Sequence, residues 1–85
     1  MVRIFKYRLE IVNVQEIDMP QRATIISAQM QDGDLCVWAL VDDGEPIVKR
    51  QFLVLPTGSP MLKGYSWRHL ATVQVQGLVW HVFEV

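Results

Sequence analysis

The clearest regularity along the chain is an alternation of apolar and polar positions. In RIFKYRLE, Phe5, Tyr7 and Leu9 fall on one face and Lys6 and Arg8 on the other, which predicts a half-buried strand. NVQEIDMP reads as a weaker strand that stops at Pro20, and the loss of phase between Leu9 and Gln15 suggests a turn or bulge. ATIISAQM is rich in β-branched residues. It is joined to LCVWALVD through QDGD, where Asp32-Gly33 is a hairpin signal because glycine supplies positive φ at little cost. DDGEP marks a second turn, leading into IVKRQFLVL, and HLATVQVQ and LVWHVFEV flank Gly77 as a closing hairpin. No segment sustains a helical period. The pattern predicts one all-β domain over residues 1–85, with six to seven strands in a small antiparallel β-sandwich or barrel-like roll.

One passage breaks the alternation. LPTGSPMLKGYSWRH, residues 55–69, reads as neither strand nor helix, with room for a short helical turn within residues 59–66. The last strand departs in another way. Leu78, Trp80 and Val82 lie on one face, and Val79, Phe83 and Val85 lie on the other with His81. A strand apolar on both faces is central in a sandwich or covers an intersubunit surface. In so small a chain the second is the expectation, with Leu78, Val79, Trp80, His81 and Phe83 at the interface.

Size and composition point the same way. A chain of 85 residues buries only about 60–65% of its unfolded surface, so its fold is marginal alone. With 51% hydrophobic residues and a mean hydropathy of +0.18, the apolar excess calls for burial between copies, so the first expected partner is the protein itself. A net charge of −1 argues against general nucleic-acid binding. No apolar run approaches the ~20 residues of a membrane helix, and MVRIFKYRLE has no apolar signal core. A cytoplasmic protein with no membrane partner is expected. The lone Cys36, inside LCVWALV, reads as a small buried core residue.

Candidate chemistry is sparse. Asp32, Asp34, Asp42, Asp43 and Glu45 sit in predicted turns, where aspartate bonds its own backbone. His81 lacks an assignable nucleophile or acid partner and reads as a buried or interface histidine making one hydrogen bond. His69, His81 and Cys36 have no chelating spacing, so neither a metal nor a cofactor is expected. Trp38 and Trp80 read as core or interface anchors.

The irregular passage holds the remaining candidates. The N–H groups and hydroxyls of Thr57, Gly58 and Ser59 could form an anion-binding concavity. Lys63, Arg68 and Arg22 could add positive charge, Tyr65 and Trp67 stacking surface, and His69 closes the stretch. Phosphate contacts beside an aromatic surface make a nucleotide site. The competing reading is an ordered connection across the sandwich, with Trp67 as a lid. No nucleophile–base pair is visible, so an enzyme is not expected.

The residues also carry a resemblance. Lys6, Tyr7 and Leu9, the block MPQRATIISAQMQDGDLCVWALVD, Arg50 and Phe52, TGSP, Thr72 and Gln74, and GLVWHVFE follow in order. Together they resemble a family of small phage and prophage proteins with the pattern WALVD … TGxP … GLVWHVFE. The sequence departs from that pattern at Ser59, where the family has histidine, and in the longer MLKGYSW that follows. The resemblance implies a phage context and an all-β fold, and it implies no chemistry.

Small phage proteins commonly act by binding. The leading expectation is therefore a non-enzymatic homo-oligomer in the cytoplasm of a bacterial host. It would sequester a small anionic, nucleotide-like ligand, such as an immune second messenger, as an anti-defence sponge. The alternatives are a protein–protein interaction module, or inhibitor of a host factor, using the C-terminal apolar strand, and an accessory virion protein.

Overall fold

A computed structural model describes residues 1–61 and 63–85. The predicted strands form, seven in all: β1 (Val2–Leu9), β2 (Val14–Pro20), β3 (Thr24–Gln31), β4 (Asp34–Asp42), β5 (Ile47–Pro56), β6 (Arg68–Val75) and β7 (Leu78–Glu84). The described residues within 59–66 contain no helical turn. The strands assemble into two antiparallel sheets, one ordered β1-β4-β3 and the other β2-β5-β7-β6.

Local chemistry closes the two hairpins. Asp32 and Gly33 have φ of 50° and 86°, and Gln76 and Gly77 have 51° and 80°. Positive φ at both central residues is the type I′ turn, whose twist matches that of the flanking strands. Elsewhere the chain steps between sheets. β1 leads to β2, β2 to β3 through a turn with Arg22 at φ 65°, and β4 to β5 through residues 43–46.

The two sheets pack face to face as a flattened sandwich. Leu35, Val37, Ala39 and Val41 of β4 face Phe52 and Val54 of β5 and Val82 of β7, and every one of these side chains is at most 2% exposed. Single-residue bulges interrupt β3 at Ile26 and β6 at Leu70, and these two strands bring the sheets together along one side. The radius of gyration, 13.0 Å, exceeds the roughly 12 Å of a compact chain of this length.

The structure refines two expectations. Cys36 is buried as expected, at 3% exposed, and its position in β4 puts it on the outer side of the sheet, since Leu35 and Val37 on either side face the other sheet. Its cover on the outer face comes from the flanking strands: Lys6 Nζ on β1 donates across β4 to Gln31 Oε1 on β3, at 2.9 Å. The inner face of β7 is accounted for within one chain, while Val79, His81 and Phe83 on its outer face stay half-buried and Leu78 is 56% exposed. β7 lies between β5 and β6, with Val82 in the core and Trp80 packed against it.

Candidate binding face on the four-stranded sheet

The irregular passage has a topological cause. β5 and β6 both pair antiparallel with β7, one on each side of it, so they run parallel to each other. Parallel strands cannot be joined by a tight turn and need a crossover of about a dozen residues. β5 ends opposite Trp80 and β6 begins opposite Glu84, so the connection 57–67 must travel about 13 Å along the strands and about 10 Å across them. The inner face of the sheet is filled by the core, which leaves the outer face. Leu53 and Leu55 of β5 point to that outer face and are still only 0% and 2% exposed, as they must be if the crossover lies over them.

The crossover is fastened through a run of side-chain hydrogen bonds. Thr57 Oγ1 and His81 Nε2 are hydrogen-bonded at 2.8 Å. His81 Nδ1 bonds Thr72 Oγ1 at 3.1 Å, and Thr72 Oγ1 bonds His69 Nε2 at 3.0 Å. His81 stands beside Thr72 because the type I′ turn at Gln76-Gly77 sets the β6–β7 register. His69 is brought within reach by the bulge at Leu70, and its ring meets Phe83 edge-on at 5.3 Å.

The four groups are coupled. A neutral imidazole has one donor and one acceptor nitrogen, so the partner of Nε2 decides the role of Nδ1. If His81 donates to Thr57, Thr72 donates to His81 and is left to accept from His69. If Thr57 donates instead, His81 donates to Thr72, whose hydroxyl then either donates to His69 or accepts a second bond from it. The tautomer of His81 thus links the Thr57 end of the run to Thr72.

The chain around the run is one-sided in charge. Residues 46–83 contain no aspartate or glutamate, while carrying Lys49, Arg50, Lys63, Arg68 and both histidines. Lys49 is paired with Asp18 and Arg50 with Glu84. Among the described residues Lys63 and Arg68 make no ion pair, and Lys63, Tyr65 and Trp67 are exposed on the crossover.

Of the residues singled out in the sequence, Thr57, His69 and His81 come together, with Lys63, Tyr65 and Trp67 on the same connection. Three expectations change. Arg22 pairs with Glu45 at 3.1 Å in the turn region where β5 begins, roughly 30 Å along that strand from Thr57. Arg68 stands opposite Glu84, which turns inward to Arg50, so Arg68 is on the face opposite to His69. The backbone concavity at PTGSP is not available as expected. Thr57 N–H donates to Val79 O and Ser59 N–H to Pro56 O, each at 3.1 Å, which leaves the Gly58 N–H and the hydroxyls.

Thr72 had no place among the sequence candidates. Counting outward from a two-residue turn at Gln76-Gly77 pairs it with His81, and that count is the signal that finds it.

Among the described residues, no three His, Cys, Asp or Glu side chains are gathered for a metal, and the single chain forms no closed pocket. No helix is long and apolar enough to cross a membrane among the described residues. No curated protein and no solved structure matches the chain. A family model does match, over residues 1–85, and the chain belongs to that family, the domain of unknown function DUF7352.

Proposed function

We propose that this protein binds a small anionic ligand on the outer face of its four-stranded sheet and holds it without converting it. The observation that carries the reading is the run Thr57–His81–Thr72–His69. It is a row of orientable donors in a stretch free of acidic residues, beside the exposed Tyr65 and Trp67. Hydroxyls and imidazoles would hold the anion, Lys63 would offset its charge, and the aromatic rings would cover a base.

Retention rather than turnover fits the same geometry. His81 could take a proton from Thr57, but its Nδ1 faces the neutral Thr72 hydroxyl. A carboxylate there would stabilise the imidazolium that a general base must become, and a hydroxyl does so weakly. The finer version of the reading is a sponge for a cyclic nucleotide or cyclic-ADP-ribose-like immune signal in the cytoplasm of a phage-infected bacterium. Its support is the resemblance to phage proteins together with the pairing of anion donors and aromatic surface.

Calorimetry with cyclic dinucleotides, ADP-ribose isomers and inorganic phosphate tests it. At least one nucleotide should bind and be recovered intact after denaturation. Thr72→Val and His69→Ala should each weaken it about tenfold, the loss of roughly one hydrogen bond. Appearance of a cleaved product, or wild-type affinity in both variants, would overturn the proposal.

A further inference from the structure

Each sheet has two edges, and three of the four are managed. β3 and β6 carry the bulges and lie along each other, and β2 ends in Pro20 and carries Glu16 and Asp18. β1 carries charge at Arg3, Lys6 and Arg8 but has neither a bulge nor a covering strand. Its ladder with β4 runs unbroken from Val2 to Leu9, it contains no proline and no acid, and no described strand pairs with its second edge. A long, regular strand with a free row of N–H and C=O groups is a template for another strand.

Each face of β1 leaves apolar side chains open near its start. Val2 and Ile4 point outward at 64% and 59% exposed, next to Leu40 at 42%. Phe5 points to the inner side, opposite Ala39, and remains 37% exposed at the open edge of the sheet. We infer that β1 is the self-association strand, and that a second copy of this chain pairs antiparallel along it. The two three-stranded sheets then become one six-stranded sheet.

Charge selects the register. A two-fold axis perpendicular to the sheet keeps both cores on the same side, so a residue must face one of its own parity. Registers centred on Arg3, Lys6 or Tyr7 put Arg3 on Arg3, Lys6 on Lys6 or Lys6 on Arg8, and like charges directly opposite are destabilising. Two registers avoid this, centred on Ile4 or on Phe5. The Ile4 register pairs only residues 2–6, whereas the Phe5 register pairs residues 2–8 and is chosen by length. It sets Phe5 on Phe5, Arg3 opposite Tyr7 and Ile4 opposite Lys6 of the second copy, with no like charges directly opposite. Nothing in this pairing depends on the ligand-binding face.

Opposite changes at Ile4 test the pairing, because its exposed side chain is not needed for folding. Analytical ultracentrifugation at micromolar concentration should show a dimer for the wild type. Ile4→Lys places a lysine against Lys6 and should weaken the dimer at least about tenfold. Ile4→Glu places a carboxylate there and should leave it as tight or tighter at low salt. A monomeric wild type overturns the proposal, as does a dimer that survives Ile4→Lys. Dissociation by both variants would show face-to-face packing or the Ile4-centred register instead.

Discussion

Thr57 and His81 lie 24 residues apart and share a 2.8 Å hydrogen bond on the outer face of the four-stranded sheet. Thr57 begins the crossover and His81 sits in the strand being crossed. The bond therefore ties the longest irregular connection to the middle of the sheet. Thr57→Val keeps the shape and removes the hydroxyl. The expected cost is about 0.5–1.5 kcal/mol, the usual net worth of one such bond. In thermal melts this should appear as a drop of roughly 2–12 °C for a domain of this size. No change in melting would mean that the bond does not hold the crossover down.

Leu53 is on the outer face and yet 0% exposed, like Phe52 beside it on the inner face. If the crossover covers it, Leu53→Ala should behave as a core truncation and cost about 2–5 kcal/mol. An uncovered surface leucine would stay within about 0.5 kcal/mol. Urea denaturation separates the two cases.

Arg50 and Glu84 are joined through two contacts, and Arg50 Nη1 donates to Ala23 O at 2.8 Å. Their side chains are only 21% and 12% exposed. Removing one partner strands a largely desolvated charge, so Glu84→Ala should cost about 2–4 kcal/mol. The double change Arg50→Met with Glu84→Leu should recover much of that loss, because it leaves no unpaired charge. A double-mutant cycle with additive losses would show that the pair contributes little.

Gln76 holds φ 51° in the turn between β6 and β7. Asparagine tolerates that conformation better, and Asn-Gly is the preferred type I′ pair. Gln76→Asn should therefore raise stability by about 0.5–1 kcal/mol, with no change in ligand binding. A destabilised variant would mean that the Gln76 side chain has a role that the turn does not explain.

Strand positions and turns were legible in the sequence because they are local. The alternation at Phe5, Tyr7 and Leu9, and Asp32-Gly33 between two apolar runs, act over a few residues and need no knowledge of neighbours. Several candidate groups could be named for the same reason, since hydroxyls, imidazoles and aromatic rings are visible as residue types. Their grouping is a different matter. His81 meets Thr72 through strand register and Thr57 through the β5–β7 pairing. Arg22 and Arg68, equally basic in the sequence, are carried to the far end of the sheet and to its other face. The two apolar faces of β7 fit an interface strand or a central strand equally well, because apolar burial is non-directional. The order β2-β5-β7-β6 makes β7 a central strand of its sheet and puts Val82 in the core. That order also makes β5 and β6 parallel, and so requires the long crossover between them, for a reason that no stretch of residues 55–69 contains.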